Sequence, residues 1–441
     1  MSNKVSLALF ALLLAAVAAT ATESRIESMG KRDVFFRDDM GVFVNPAEIG
    51  VLGNFVTGTL GFVNDVSETT YTVSGASGDT LINGQRYYRQ FALDTVVKPQ
   101  TATPTNQWFG VVYNLPVSKT VSLFGGAAFN RTDELLGFYD AVRRDRYYKL
   151  EGLYPALKGR SDFMFGLKMK NFNVGVGYYT ASQHKVEDYV VTLQKPRYDF
   201  SFSLNKVNLG TEIGFGAHSL EVYGSVGNVT YSNENNSTTP FDTLTNIKET
   251  SDKSLSLGSR FFFQTKIGGG VVFVPAFNYK KLAILDSTQT SVGGGVGLNY
   301  RLDGGFFWCG VEGETYTREN TKDTITVEGN GARFNFGIEK SLIWKWLIVR
   351  VGGNKFIATE TETKKIAGTS VSTSRWVQNK DDDGTSEDLL GFGIGLNYQN
   401  RLRFDITLNE AMPYFNPFGD GLKDSPNGGH MLLRICSTFS L

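Results

Sequence analysis

After its first 21 residues this chain is constrained most by one feature. A period-two alternation of apolar with polar or small residues returns along its whole length, and no apolar run is long enough for a spanning helix. Arg401 to Asn409 carry the pattern most cleanly. Leu402, Phe404, Ile406 and Leu408 fall on one face, and Arg401, Arg403, Asp405, Thr407 and Asn409 on the other, because successive strand residues point to opposite sides of a sheet. In the preceding segment Leu390, Phe392, Ile394, Leu396 and Tyr398 oppose Gly391, Gly393, Gly395 and Asn397. A tight turn at 399–401 keeps the two apolar faces together. The same reading holds from Phe163 to Lys170, Val174 to Tyr178, Leu255 to Phe263, Val292 to Arg301, Phe307 to Glu314, Phe334 to Glu339 and Met431 to Leu441. The most apolar late window, Leu342 to Val351, contains Lys345 and Arg350, whereas a spanning helix needs about 20 apolar residues.

The start of the chain reads as an export signal, with Lys4 before the apolar stretch Val5 to Ala19 and small residues for cleavage near Ala19 to Thr22. The apolar stretch is too short for an anchor, and no Cys follows it to carry a lipid. An exported chain without a spanning helix is left with a soluble fate or a closed β-barrel. A β-sandwich also alternates, but so many strands behind an export signal favour the barrel. Composition agrees: 44 basic and 44 acidic residues leave no basic footprint for nucleic acid. Two Cys in 441 residues rule out a disulfide scaffold, and much of the excess of 49 Gly sits on alternate strand positions, where small residues leave room inside.

Short connections, near 114–119, 170–173, 216–219, 266–270, 302–305, 341–345 and 399–401, alternate with long polar ones, as periplasmic turns alternate with external loops in such barrels. The expectation is an all-β transmembrane antiparallel barrel of about 14–16 strands over residues 51–441, after a signal at 1–21 and an internal plug at 22–50. Tyr198 to Asn205 alternates without a place in this count, and Pro275 requires a bulge.

The stretch from Ser24 through Met29-Gly30, then Asp38-Asp39-Met40-Gly41 and Asn45-Pro46-Ala47, resembles the mature N-terminus of the long-chain fatty acid transporter family of outer-membrane barrels, and of related barrels tied to type IX secretion. The resemblance implies a barrel of about 14 strands with its N-terminal segment inside as a plug, passing hydrophobic molecules out through a side opening. The chain departs from the pattern at Glu48, where a Gly is usual.

The candidate site residues follow. Met29, Gly30, Asp38, Asp39, Asn45, Pro46 and Ala47 form the plug motif. Arg260, Glu312, Glu314, Arg333, Glu339, Arg350, Arg401, Arg403 and Asp405 are lumen charges that tune selectivity or pin the plug. Asn379, Asp381 and Asp383 resemble the start of a calcium loop, but Leu390 stands where the twelfth-position Glu belongs, so a solvated loop is the simpler reading. His184, His218 and His430 are scattered, without zinc spacing. The loop carrying Phe138, Tyr139, Arg143, Arg144, Arg146, Tyr147, Tyr148 and Tyr154 is either an external binding lid or an interface belt. No nucleophile elbow is present, so the chain is expected not to be an enzyme and to need no cofactor.

The functional expectation is a channel or transporter in the outer membrane of a Gram-negative-type bacterium, taking up small hydrophobic or amphipathic solutes passively. Its partners would be membrane lipid and the solute. The competing readings are a secretion-associated or structural barrel that holds a protein partner at its external loops, and a general aqueous porin.

Overall fold

The computed structural model describes residues 23–30, 32–63, 69–73, 79–82, 85–88, 93–97, 104–105, 107–147, 157–188, 197–235, 247–266, 270–284, 287–320, 324–366, 369–378, 390–398, 402–408 and 432–440. The export signal at 1–21, Arg401, and the calcium-loop residues Asn379, Asp381 and Asp383 lie outside them. No helix among the described residues is long and apolar enough to cross a membrane.

Sixteen antiparallel strands close on themselves. They are β1 (Phe55–Val63), β2 (Trp108–Pro116), β3 (Val121–Phe129), β4 (Gly159–Met169), β5 (Phe172–Asp188), β6 (Arg197–Phe215), β7 (His218–Asn235) and β8 (Ser254–Gln264). The wall continues with β9 (Val272–Ile284), β10 (Ser287–Leu302), β11 (Gly305–Asn320), β12 (Ile325–Ser341), β13 (Leu347–Ile366), β14 (Leu390–Tyr398), β15 (Leu402–Leu408) and β16 (Leu432–Ser440). Closure is made by β1, which pairs with β2 on one side and β16 on the other. Three further pieces, Pro104–Thr105, Ile247–Thr250 and Thr369–Gln378, continue the line of a wall strand rather than widening the wall.

The alternation has the expected sense. In β2 Trp108, Gly110 and Val112 are buried while Phe109, Val111 and Tyr113 are exposed. Phe165, Leu209, Val296, Phe334 and Phe336 join the exposed outward set. Such an outward column of exposed apolar side chains is what a membrane barrel requires. The protein is an outer-membrane β-barrel. Its count is 16 strands, two more than the family resemblance implied.

Two details differ from the sequence reading. Tyr198 to Asn205 is no separate strand: it is the long-loop end of β6, paired with Asn228 to Asn235 of β7. Pro275 causes no bulge, since the β8–β9 register is the same at Arg260↔Ala276 and at Phe263↔Phe273. The ladder toward β8 is interrupted between those points, at the position where proline has no N–H to give. The neighbouring pair Pro275↔Val296 with β10 is kept.

The wall is uneven. β1, β2, β3, β14 and β16 are 9 residues long, β15 is 7, and β10 to β13 run 16 to 20. Two inserts occupy the interior. The N-terminal segment enters as helix α1 (Glu23–Ser28), passes through short 3-10 turns at Asp39–Phe43 and Pro46–Glu48, and ends in α2 (Ile49–Leu52). Gly53, at φ 88°, then turns the chain into β1. The second insert is α3 (Glu134–Tyr147), which follows β3 at the long-loop end.

Candidate functional site: two inserts in one lumen

The N-terminal segment lies against a bed of wall glycines. Gly175 and Gly177 face Pro46, and Gly391 and Gly393 face Glu27 and Ser28. At Gly352 a methyl group would stand 2.5 Å from the Gly30 nitrogen. Gly30 itself has φ 96° and would bring a Cβ within 2.9 Å of the Gly353 carbonyl, so neither of these glycines tolerates a side chain. Carbonyls of the segment are met by wall asparagines. Asn299 donates to Phe35 at 2.6 Å, Asn354 to Gly30 at 3.1 Å and Asn208 to Phe43 at 3.2 Å. Buried backbone oxygens need such partners.

The Asn45-Pro46-Ala47 motif has a local cause. Asn45 accepts from the Ala47 amide at 3.2 Å as the cap of a 3-10 turn, and Pro46 takes the first turn position, where its missing N–H costs nothing. Met29 is buried with Phe35, Phe36, Val274 and Trp308.

Three ionic clamps join segment to wall. In the first, the Arg260 guanidinium donates to Glu221 at 2.8 Å, to Glu48, and to the Asp33 and Phe36 carbonyls at 3.1 and 3.2 Å. Arg37 donates to Glu221 at 2.7 Å and Glu212 at 2.5 Å and lies 4.5 Å from the Phe262 ring. In the second, Glu312 accepts from Arg32 and from Asn335, both at 2.7 Å. In the third, Arg25 bridges Asp38 at 2.5 Å and Glu339 at 2.9 Å. Glu339 accepts from Arg350 at 2.6 Å, and Asp405 receives Arg350 at 2.6 Å and Arg403 at 2.9 Å. Asp39 accepts from Thr438 at 3.1 Å.

Titration follows from this crowding. Burial pushes Asp38 up to about 7, with Asp39 adding to the shift and Arg25 and Arg403 opposing it. Burial and the adjacent Glu221 hold Glu48 well above the usual carboxylate range, against Arg260 and Arg37. Burial works against the Arg25 charge, but Glu339 and Asp38 more than offset it, so its pKa is raised.

Of the remaining lumen charges, Arg333 is buried with its guanidinium 4.6 Å from the Phe356 ring. Glu314 is half-buried and pairs in register with Gly293 and Gly331, away from the clamps. Cys436 accepts from Ser24 at 2.8 Å, and neither Cys309 nor Cys436 is in a disulfide. No group of three metal-ligating side chains exists among the described residues.

The second insert is held differently. Leu135, Leu136, Tyr139 and Val142 of α3 pack on Tyr179, Ala181, Phe202, Leu204, Val229, Tyr231, Leu282 and Ile284, all in one buried apolar cluster. Phe138 packs against it and Tyr139 lies inside it, so these two are not belt residues; Tyr148 and Tyr154 lie outside the described residues. At the near end of α3, Asp133 accepts from the Leu135 amide at 2.9 Å and from Lys206 at 3.0 Å. Arg131 forks onto Asp162 at 2.8 and 3.0 Å and stacks 4.3 Å from Phe43, where the two inserts meet. Burial pushes Asp133 up, but Lys206, Arg131 and the Leu135 amide outweigh it, leaving its pKa below the ordinary value.

Sequence reasoning missed Glu48, Glu221, Asp133 and Lys206. The departure from the family pattern at Glu48 was the signal for the first. For α3, the helical spacing of Leu135, Leu136, Tyr139 and Val142 was the signal.

No protein-family model matches the chain, and no curated protein matches its sequence. Solved structures similar to it are outer-membrane barrels. CdiB from Escherichia coli is 11% identical over 76% of this chain and 59% of that chain, with TM-score 0.34. OmpT, an outer membrane protein of Vibrio cholerae, in its trimer form, is 12% identical over 77% and 96%, with TM-score 0.31. The siderophore receptor PirA from Pseudomonas aeruginosa is 10% identical over 76% of each, with TM-score 0.22. The chain spans about six tenths of the length of CdiB. A likeness at this level bears on the barrel architecture alone. The expectation that the chain is not an enzyme is corrected here: a barrel fold by itself decides neither for nor against catalysis, and a missing motif is no ground for the exclusion.

Proposed function

We propose that this protein is a normally closed outer-membrane channel for passive uptake of small hydrophobic or amphipathic solutes. In this reading residues 22–50 plug the short-turn half of the lumen and α3 lids the long-loop end. The observation that carries the reading is the apolar wall under α3: an open aqueous porin has a polar, water-filled interior, whereas here Tyr179, Phe202, Leu204, Val229, Tyr231 and Leu282 line the lumen. With α3 displaced, that surface offers an apolar slot. Lys206, which Asp133 neutralises at 3.0 Å in the closed state, stands at its inner end. The lid thus occupies its own slot as an apolar body behind the carboxylates of Asp133 and Glu134, which pair with Lys206 and Lys280.

The test is efflux from proteoliposomes loaded with an amphipathic anion or with a sugar of similar mass, using the intact chain and a variant lacking residues 22–50. The expected result is efflux of the amphiphile well ahead of the sugar from the deletion variant. Equal efflux of both would make the protein a general porin and overturn the reading.

A further inference from the structure

The turn between β12 and β13 differs from its neighbours. The other short turns described carry at most one large apolar residue: Val117-Ser118-Lys119-Thr120, Lys170-Asn171, Gly216-Ala217 and Asp303-Gly304. This one reads Leu342-Ile343-Trp344-Lys345-Trp346-Leu347, and Ile343 is 93% exposed. Leu342, Trp344 and Trp346 are also exposed. The turn is well formed: the Leu342 amide donates to the Leu347 carbonyl at 2.9 Å and the Leu347 amide to the Trp344 carbonyl at 2.9 Å. It is tied sideways as well, through Ser341 N–H to the Gly304 carbonyl and Asn397 N–H to the Trp346 carbonyl, both at 2.7 Å. The two indoles stack with centroids 5.7 Å apart and planes at 18°.

An ordered, exposed apolar tip is costly in water and calls for a cover. The outward column of β12, Phe334, Phe336 and Ile338, is exposed and runs down the strand toward this turn. Tryptophan with a flanking lysine is the composition that settles at a membrane–water interface, the ring among the headgroups and the ammonium toward phosphate. We propose that the turn Leu342–Leu347 is seated in the interfacial layer of the bilayer leaflet at the short-turn end, as a one-sided anchor that extends the apolar belt below the tall wall. The occupant is phospholipid, with Lys345 beside the headgroup phosphates.

The experiment uses the full chain in vesicles of phosphatidylcholine and phosphatidylglycerol, with bromine placed on the acyl chain near the headgroup. Trp108 and Trp308 are buried inside the barrel, so their emission serves as an internal background. In a Trp376→Phe protein, lipid quenching of the remaining exposed tryptophans is expected to be strong. It should fall by roughly half or more in a Trp344→Ser/Trp346→Ser protein, since interfacial indoles lie within reach of the bromines. A barrel that keeps its gel shift on boiling shows that the double variant still folds. Unchanged lipid quenching in that variant, or quenching of the wild-type turn by aqueous iodide in place of lipid, would overturn the assignment. The second result would leave the turn free for a periplasmic protein.

Discussion

The two inserts in this lumen are held by different balances of ionic and apolar contacts. The N-terminal segment is clamped by guanidinium–carboxylate contacts over a glycine bed, with Met29, Phe35, Phe36, Val42, Phe43 and Ile49 in apolar clusters beside them, whereas α3 rests on an apolar wall with ionic contacts at its first turn, Asp133–Lys206 and Glu134–Lys280. The ionic clamps are directional and join residues far apart in the chain, so they favour one position. The apolar face is non-directional and yields to any competitor that buries a similar area. On the proposed reading, the N-terminal segment is a specific seal at one end of the lumen and α3 an exchangeable one at the other.

Breaking a clamp should have the largest effect. Arg260→Ala leaves Glu221 with Arg37 alone and removes the donor that Glu48 and the Asp33 and Phe36 carbonyls share, a loss of about 3–5 kcal/mol. Limited proteolysis of the folded barrel should then cut within residues 32–50. Glu48→Gln should cost much less, because burial already favours the neutral form of Glu48. If both variants resist protease as the wild type does, the clamp does not hold the segment.

Leu136→Ala should be comparable on the other insert, about 2–5 kcal/mol, since Leu136 is completely buried. Hydrogen exchange should quicken in α3 and stay unchanged at 23–53. Quickening in both would mean that the Arg131–Phe43 contact couples the inserts more tightly than this account allows.

The smallest effect, and the one that separates the inserts by sign, is that of pH. Asp38, pushed up to about 7, binds more protons when docked than when free. The contribution of Asp38 to docking is therefore largest at acid pH and falls as pH rises through about 7, and that of Glu48 has the same sense. Asp133 has a depressed pKa, so its contribution to seating α3 is present above the usual carboxylate range and lost as pH falls through it. Exchange followed between about pH 3 and pH 9 should loosen α3 at the acid end and the segment at the alkaline end. Loosening of both in one direction contradicts the comparison.

What was legible in the sequence was whatever depends on neighbours along the chain. Alternation revealed the strands of the wall, and it put Arg260, Glu312 and Glu339 on the polar face, where the N-terminal segment touches them. The wall glycines were read as leaving room inside, but the structure fills that room with the backbone of Glu27 to Gly30 and with Pro46. Which charge meets which was not legible, because Arg37–Glu221 and Arg260–Glu48 join residues 184 and 212 positions apart. The position of α3 was hidden for a further reason: a helix in a long loop packs equally well on a lumen or against a neighbouring loop, and only the apolar lumen face of β5 to β7 decides.

The central claim is that residues 22–50 close the pore. Its direct test is single-channel conductance in planar bilayers, comparing the intact chain with a variant lacking those residues. The account predicts near-zero conductance for the intact chain and steady open currents for the variant. A large steady current through the intact protein, or a deletion variant that folds and still does not conduct, would contradict it.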